Sequence, residues 1–252
     1  MSGSRNKIVL SPTAISDCSY WFDHTNEPTL STTTTGGGIV VDTVKNLGSK
    51  SEYLMSQQGA DSIKPLKVAG TRNLPALEFD GVGTYMALTL VSDPTTEVDI
   101  TLGADVTFWA VSDNVPDASM HQGIIVARDS DRYRTFYHKN GSTILFSAYG
   151  SPGASDTVAP ADETIPALIM SIADETASTI DVYFNGTSDG STATPASLNT
   201  GAHKVWAGKG APSDHYLTGT ISEWGIFEKA LDSEEIAFME DYISQKYGIT
   251  MT

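Results

Sequence analysis

The stretch "YLTGTISEWGIFEKALDSEEIAFMEDYISQKYGI", residues 216–249, contains a strand pattern and a helix pattern in one continuous run. Up to Glu228 it is rich in β-branched and aromatic residues, a composition typical of β-strands. The pattern then changes, because Asp232 is a favourable N-cap residue and Glu235 stands three residues later, where it completes a capping box. The stretch therefore predicts a long strand that is followed directly by a helix.

The predicted helix is amphipathic. Leu231 and Ile236 are spaced for a hydrophobic staple across its N-terminus, and Gly248 can end it in the left-handed conformation that glycine adopts readily. Its apolar residues recur at helical spacing, at Ile236, Met239, Ile243 and Tyr247. We expect this face to pack on a β-sheet.

Most of the remaining chain consists of further strand patterns. They occur at residues 38–44, 76–81, 105–112, 122–128, 134–150, 167–174, 179–186 and 216–228. Asn140 and Gly141 form the pair favoured in a type I′ turn, which predicts a β-hairpin around them. We expect an all-β antiparallel sandwich that forms one domain over residues 1–252, with residues 1–17 as an N-terminal arm or a first strand.

Three polar stretches rich in Thr, Ser, Gly and Pro separate the strand patterns, at residues 30–38, 151–163 and 185–201. Such stretches are too polar to pack in a core, and these are too closely interleaved with strands to be domain linkers. We expect all three to be surface loops.

The charge and the hydropathy exclude two classes of function. The chain has 15 basic and 31 acidic residues among 252, a formal net charge of −16. A field of this sign repels nucleic-acid phosphates and anionic lipid headgroups. The sequence also lacks an apolar run near the ~18 residues that a membrane-spanning helix needs. We therefore expect neither nucleic-acid binding nor membrane insertion.

Cys18 is the only cysteine, so the chain forms no intramolecular disulfide bond and has no cysteine pair for zinc. Beside Tyr20, Trp21 and Phe22, it is expected to be a small core residue. The apolar run at residues 8–10 is too short for a secretory signal. We expect the protein to stay where it is synthesised unless lysis or an unusual route releases it, or unless a signal has been removed.

Several short motifs follow one another in a recognisable order: "YWFD" (20–23), "PALEFDGVGTYMAL" (75–88), "TFWAV" (107–111), "IDVYFNGT" (180–187), "VWAGKG" (205–210) and the stretch at 216–249. In this order they resemble the laminin-G-like branch of the concanavalin A-like lectin and glucanase superfamily. The similarity covers about residues 18–249. It implies a jelly roll of two curved antiparallel sheets with one C-terminal α-helix.

The end of the chain carries the strongest part of the resemblance. The family's closing pattern of glycine, hydrophobic, glutamate, tyrosine and lysine positions is filled by Gly219, Ile221, Glu223, Leu231, Glu235, Tyr242, Lys246, Tyr247 and Gly248. Such domains serve as glycan-binding modules, adhesion modules, accessory parts of secreted enzymes and structural proteins of bacteriophage particles. The resemblance therefore implies a fold more than a function.

Glu223 and Glu228 are the candidate catalytic pair, because β-glucanase relatives carry a strand motif of the type Glu-x-Asp-x-x-Glu. Retaining hydrolysis needs both carboxyl groups on one face of the sheet, about 5 Å apart. An odd separation sends these two to opposite faces of a regular strand unless a β-bulge intervenes. Gly225 also replaces the central aspartate. We predict a structural role for Glu223 and no enzymatic activity.

The first group of candidate ligand-binding residues lies in "ARDSDRYR", residues 127–134: Arg128, Asp131, Arg132 and Tyr133. These residue types suit a polar contact with a sugar or a protein. The Asp-x-Asp pair could also contribute to a Ca²⁺ site, although the neighbouring arginines compete for its carboxylates. No other cofactor is expected.

Aromatic residues form the second group, because sugar rings stack on exposed Trp and Tyr side chains. Trp206 and Tyr216 flank the loop at residues 207–215 and are expected to be exposed. The other tryptophans lie in apolar strand patterns and are expected in the core. They are Trp21, Trp109 and Trp224.

Three functions remain open. The first is a non-catalytic structural or adhesive module on the surface of a bacteriophage particle, in contact with other virion proteins or with copies of itself. The second is a lectin-like module of a secreted or surface protein that binds a cell-surface glycan. The third, most remote, is a glycoside hydrolase. The contrast between an extracellular type of fold and the missing signal favours the first.

Overall fold

The computed structural model describes residues 10–57, 60, 64–114, 122–128, 132–138, 143–148, 154–158, 167–188, 190, 192–193, 201–210 and 216–252. Within these residues there are twenty β-strands, β1 to β20, and one α-helix, α1. The strand pairings between them are antiparallel.

The strands form two layers. The first layer contains, in hydrogen-bonded order, β14 Ala154–Val158, β13 Thr143–Ala148, β12 Arg132–His138, β11 Gln122–Arg128, β19 Ala202–Ala207, β7 Met86–Leu90, β4 Tyr53–Ser56, β3 Gly38–Lys45 and β2 Leu30–Thr35. The second contains β16 Thr179–Phe184, β15 Ala167–Asp174, β10 Val106–Asn114 and β20 Thr218–Phe227, with β1 Cys18–Asp23 and β6 Pro75–Asp80 on the other edge of β20.

Shorter strands extend the edges of both layers. They are β5 Leu66–Ala69, β8 Asp93–Glu97, β9 Asp99–Thr101, β17 Thr187–Ser188 and β18 Thr192–Ala193. β5 pairs with β6 and, at one residue pair, with β3, so it joins the two layers. The predicted antiparallel two-sheet sandwich is confirmed.

Apolar side chains form two buried clusters. The larger cluster lies between the layers and takes residues from both, among them Val41 and Val205 from the first layer and Phe108 and Trp224 from the second. The smaller cluster lies between the outer face of the second layer and α1. Trp109 belongs to it, and Cys18 is buried there, as predicted for a core residue.

Helix α1, Ser233–Tyr247, begins and ends as the sequence predicts. The side chain of Asp232 accepts hydrogen bonds from the amides of Glu234 and Glu235, and the side chain of Glu235 accepts one from the amide of Asp232. Gly248 ends the helix in the left-handed conformation at φ 70°. The predicted staple residues are placed in the smaller cluster, where they accompany the buried face of the helix.

The prediction of three surface loops is partly wrong, because each of these stretches contains strand residues. Residues 30–35 form β2, residues 154–158 form β14, and the short β17 and β18 lie within 185–201. β2 has exposed threonines and pairs with β3 through its backbone. Backbone hydrogen bonds between strands form regardless of side-chain polarity, and the β-branched threonine favours extended backbone. Side-chain polarity alone therefore does not distinguish an edge strand such as β2 from a loop.

Other predictions near the termini and turns have mixed outcomes. The described part of the predicted N-terminal arm contains a 3₁₀ turn at Pro12–Ala14, and the first strand begins only at Cys18. β12 and β13 pair as a hairpin, as expected. Its predicted turn at Asn140 and Gly141 lies outside the described residues.

Two family motifs have a clear structural role. In "LEFDG", one oxygen of Asp80 accepts hydrogen bonds from the amides of Val82, Gly83 and Thr84 and from the Thr84 hydroxyl group, at 2.8–3.0 Å. Burial alone would raise the pKa of Asp80, but these donors outweigh it and hold the pKa below its usual value. The aspartate therefore fixes the turn between β6 and β7.

In the second motif, "YFNG", Asn185 and Gly186 both have positive φ and turn the chain after β16. The Asn185 side chain accepts a hydrogen bond from the amide of Leu168 at 2.8 Å, and the Asn185 amide donates to the Leu168 carbonyl oxygen at 2.9 Å. The turn is thus fixed to the start of β15.

Candidate functional site

Glu223 lies on β20 and points into the interface between the sheet and α1. Its side chain is 0% exposed. One carboxylate oxygen accepts from the Trp21 indole N–H at 2.6 Å and from the Tyr242 hydroxyl group at 2.5 Å. The other accepts from the Lys246 ammonium group and the Tyr247 hydroxyl group, both at 2.7 Å. We call these five residues the Glu223 cluster.

Three members of the cluster come from α1. Tyr242 and Lys246 are four residues apart and therefore lie on one face of the helix, and Tyr247 lies beside them. Lys246 also reaches Asp23 on β1 at 2.8 Å. Burial raises the pKa of Glu223, the nearby ammonium group of Lys246 lowers it, and Asp23 raises it. The cluster connects β1, β20 and α1.

Glu228, the second member of the candidate catalytic pair, has different partners. It accepts from the Ser19 hydroxyl group at 2.6 Å and from the Lys50 ammonium group at 2.5 Å. The two glutamates share neither a partner nor a face of the strand. The bulge in β20 is at Ser222, before Glu223, so it does not lie between the two glutamates and does not align them. The predicted structural role of Glu223 agrees with this geometry.

His24 follows β1 beside this interface. It lies in the turn after the strand, and it is only 1% exposed. Its Nδ1–H donates to the carbonyl oxygen of Ile221 at 2.8 Å, because a carbonyl group can only accept. Burial lowers the pKa of His24 to about 4, against smaller opposing contributions from this hydrogen bond and from Asp23.

A second group of side chains lies on the outside of the sandwich, where the chain passes from β19 to β20. Val205 and Ala207 on β19 face the core, so Trp206 between them points outward. Backbone pairing places Trp206 opposite Ala87 and opposite Val126. Trp206 and Tyr216 were predicted to be exposed, but both are partly buried.

Around Trp206 lie Tyr85, Lys209 and Tyr216, and we call these four residues the aromatic platform. The Lys209 ammonium group is 4.1 Å from the centre of the Tyr85 ring and 4.8 Å from that of Trp206. The rings of Tyr85 and Tyr216 are 6.4 Å apart, centre to centre, and tilted by 44°. A backbone bridge pairs Lys209 with Tyr216.

Gly208 gives Lys209 its direction. Its φ is +80°, and a Cβ atom at this position would lie 2.2 Å from Cδ1 of Phe79. Only glycine fits over the Phe79 ring with this backbone. The irregular step after Ala207 turns the Lys209 side chain toward the same side as Trp206.

Charged side chains surround the platform. The pairing of β11 with β19 places Arg128 opposite Lys204, and the Lys204 ammonium group is 3.8 Å from the Glu97 carboxylate. Asp99 pairs with Lys204 on the other side. Burial lowers the pKa of Lys209, Glu97 opposes this shift, and Arg128 and Lys204 add to it. The border is therefore of mixed charge.

The structure brings together three of the six predicted ligand-binding residues: Arg128, Trp206 and Tyr216. Asp131 lies outside the described residues. Arg132 and Tyr133 belong to β12, where Arg132 pairs with Arg128 and Tyr133 with Ala127, and nothing is described of their side chains. The predicted Ca²⁺ site at this segment stays a prediction. Among the residues described, no group of three or more His, Cys, Asp or Glu side chains could hold a metal ion.

Tyr85 and Lys209 were not among the candidate residues predicted from the sequence. Tyr85 lies in "GTYMAL" just before β7, where it forms part of a strand motif. Lys209 lies in the loop between Trp206 and Tyr216, and the Gly-Lys-Gly order is the signal available in the sequence. The predicted core positions of Trp109 and Trp224 are confirmed, whereas Trp21 is partly buried and donates to Glu223.

A cleft of about 590 Å³ opens beside the platform. We call it the threonine cleft, because Thr35, Thr84 and Thr218 line it. Its other lining residues include the apolar Val40, Leu66 and Phe79 and the charged Lys64, Glu78 and Asp80. An apolar surface with a few polar groups at the rim is typical of small-ligand sites.

Among the described residues, no helix is long and apolar enough to cross a membrane.

Solved structures with the same fold include toxin domains and a sialidase. The botulinum neurotoxin serotype D binding domain superposes with a TM-score of 0.57 at 13% identity, over 92% of this chain and 52% of that chain. The binding domain of Paraclostridial Mosquitocidal Protein 1 gives 0.56 at 11% identity, over 86% and 52%. Trypanosoma rangeli sialidase gives 0.56 at 17% identity, over 95% and 34%.

This chain therefore spans about half of each toxin domain and about a third of the sialidase. Identities this low relate the folds alone. No curated protein sequence matches the chain. The family model for the concanavalin A-like lectin/glucanases superfamily matches residues 80–237, which is more than half of the chain. With two antiparallel layers, a closing helix and this match, the chain belongs to the concanavalin A-like lectin/glucanase superfamily.

Proposed function

We propose that the protein is a non-catalytic carbohydrate-binding module and that it binds sugar at the aromatic platform. The observation that carries the proposal is the grouping of three aromatic rings from separate parts of the chain, Tyr85, Trp206 and Tyr216, around Lys209 on the outside of the sandwich. Trp109 and Trp224 are buried in the core. The three platform rings are instead partly buried at the outer surface.

The chemistry of the platform suits a sugar. Partly buried aromatic rings offer flat apolar faces to the C–H groups of a pyranose, and Trp and Tyr combine such a face with a polar tip. Arg128, Lys204 and Glu97 provide donors and acceptors at the border for hydroxyl groups.

The Glu223 cluster supports the non-catalytic part of the proposal. Four donors occupy the Glu223 carboxylate, and the side chain is out of contact with solvent. A nucleophile or general acid has to reach the scissile bond. Glu228 is held separately by Ser19 and Lys50.

A glycan microarray with the intact protein tests the proposal, followed by isothermal titration calorimetry with each oligosaccharide that binds. We expect Trp206→Ala and Tyr216→Ala to weaken binding by at least about tenfold, equivalent to 1.4 kcal/mol. Phe238→Ala is the matched control, because Phe238 is a partly buried aromatic residue on α1, which packs on the second layer. Absence of binding across the array, or equal weakening by the control, would overturn the proposal.

Placement on a bacteriophage particle stays a separate prediction. A binding module on the outside of a particle would attach it to a glycan on a host cell, so the two ideas are compatible. Sedimentation of the protein with purified particles in a fixed copy number would support the placement. Recovery of the protein only in the soluble fraction of a lysate would contradict it.

A further inference from the structure

We propose that the aromatic platform and the threonine cleft form one continuous binding surface, and that its ligand is a linear oligosaccharide of several units and not a single terminal sugar. This inference rests on the proposed function and defines its ligand class. Two separate connections between the platform and the cleft carry it.

The first connection lies at the start of β20. Tyr216 belongs to the platform and Thr218 lines the cleft, while Leu217 between them is fully buried in the core. In extended backbone, alternate side chains point to the same side and lie about 7 Å apart. Tyr216 and Thr218 therefore face outward together.

The second connection lies just before β7. Thr84 lines the cleft, and Tyr85 follows it directly and contributes a ring to the platform. Thr84 is held in place by Asp80, which accepts from its amide and hydroxyl groups. The rings of Tyr85 and Tyr216 also meet each other at 6.4 Å. Two chain segments thus cross the boundary between platform and cleft side by side.

The cleft offers chemistry that complements the platform. Its volume of about 590 Å³ lies within the range of roughly 300–1,000 Å³ typical of ligand pockets. Its lining combines the apolar side chains of Val40 and Leu66 with the hydroxyl groups of Thr35 and Thr218. A sugar likewise presents both C–H faces and hydroxyl groups.

Glu78 gives the cleft a charged wall. It is exposed on β6, opposite Thr220 on one side and Leu66 on the other, so it stands at the cleft and not in the core. A carboxylate is a strong acceptor for the hydroxyl groups of a sugar. The cleft can therefore hold a second sugar unit by polar contacts while the platform holds the first by stacking.

A ligand that contacts both the aromatic platform and the threonine cleft binds with higher affinity, because its sugar units are covalently linked. Once one unit is stacked on the platform, the next units meet the cleft at a high effective concentration, and linked contacts of this kind can raise affinity by roughly 10²–10⁴-fold. A monosaccharide engages only one part. Affinity should therefore depend on chain length.

Size-graded oligosaccharides test the inference directly. The probes are cello-, laminari-, chito- and oligogalacturonide series from the monosaccharide to the hexasaccharide, measured by calorimetry with the intact protein. We expect affinity in a binding series to rise by at least about tenfold between the monosaccharide and the tetrasaccharide. Trp206→Ala should weaken every member of that series.

A variant that fills the cleft separates its contribution. Glu78→Trp places a bulky side chain at an exposed strand position, and we expect it to remove the gain with length while leaving binding of the monosaccharide, which engages only the platform, unchanged. Glu175→Trp, at an exposed turn between β15 and β16, is the matched control and should behave like the natural protein. Thermal unfolding of both variants verifies that they are folded.

The outcomes separate the inference from the proposed function. Binding that is equally tight for the monosaccharide and the hexasaccharide, or an unchanged length dependence in Glu78→Trp, overturns the continuous surface but leaves the platform as a sugar site. Lack of binding to all four series and to the microarray overturns both.

Discussion

The ammonium group of Lys246, in the last turn of α1, lies 2.7 Å from the carboxylate of Glu223 on β20, and Glu223 is fully buried. A buried carboxylate is costly unless it is paired and hydrogen-bonded. Here the helix supplies the cation and two tyrosine hydroxyl groups, so the charge is compensated only when α1 is docked. The glutamate at the family position therefore specifies where the closing helix packs.

Replacement of Glu223 should destabilise the fold strongly. Glu223→Ala leaves four donors without this acceptor. We expect the free energy of unfolding to fall by about 3–5 kcal/mol, as when one partner of a buried pair is removed. Glu228→Ala is the control, because its pair with Lys50 is partly exposed and should contribute only about 1 kcal/mol or less. Urea unfolding followed by circular dichroism measures both. Similar losses in the two variants would contradict the special role of Glu223.

The strand and helix of residues 216–249 could be predicted because their signals are local. Asp232, Glu235 and Gly248 act within one helical turn of their own positions, and periodicity gave the buried face of the helix. The partners of Glu223 could not be predicted. Trp21 is 202 residues away in sequence, and its contact depends on the register between β1 and β20.

Gly225 should be intolerant of any side chain. A Cβ atom there would lie 2.5 Å from the carbonyl oxygen of Tyr20 and 2.7 Å from the Trp109 indole nitrogen. We expect Gly225→Ala to lower the free energy of unfolding by about 1–3 kcal/mol through overpacking. Gly36→Ala is the control, since a Cβ atom at Gly36 meets nothing within 4 Å. Thermal unfolding of both variants tests this prediction. Equal melting temperatures for Gly225→Ala and Gly36→Ala would refute it.

His24 should make the fold sensitive to acid. The unfolded chain protonates this histidine near its usual pKa of 6.5, whereas burial holds the folded pKa at about 4. The unfolded state therefore binds the proton more readily than the folded state. The contribution of neutral His24 to stability is present above pH 6.5 and is lost as the pH falls toward 4. At 1.36 kcal/mol per pKa unit, the loss is roughly 3 kcal/mol.

The variant His24→Gln isolates this contribution, because glutamine can still donate to the Ile221 carbonyl oxygen but does not titrate. We expect its free energy of unfolding to fall less steeply than that of the natural protein between pH 6.5 and pH 4, measured by urea unfolding at several pH values. Parallel curves for the two proteins would show that His24 is not the group responsible. Carboxylates such as Asp80 titrate in both proteins and cancel in the comparison.

The candidate site could be predicted only in part. Trp206 and Tyr216 were predicted because they flank a polar loop and because aromatic rings can stack on a sugar. Tyr85 joins them through the pairing of β7 with β19, which no local pattern records. Lys209 reaches the rings because Gly208 departs from regular strand geometry, and a single glycine between strand residues is an ambiguous signal.

Replacement of Gly208 should lower both the stability of the fold and the affinity for sugar. An alanine there is strained by the φ of +80° and would also lie 2.2 Å from the Phe79 ring. The matched control is Gly190→Ala, because Gly190 has a φ of +109° and a Cβ atom there meets nothing within 4 Å. Positive φ alone costs an L-residue about 1–2 kcal/mol, so the control should lose about that amount and Gly208→Ala more.

The same substitution should weaken sugar binding, because relief of the contact with Phe79 moves the backbone that aims Lys209 at Tyr85 and Trp206. We expect calorimetry on the folded Gly208→Ala variant to give an affinity at least about tenfold lower, equivalent to 1.4 kcal/mol, while Gly190→Ala binds normally. Normal affinity in a destabilised Gly208→Ala protein would mean that the position of Lys209 does not matter for the ligand. Reduced affinity without loss of stability would place Gly208 itself in contact with the sugar.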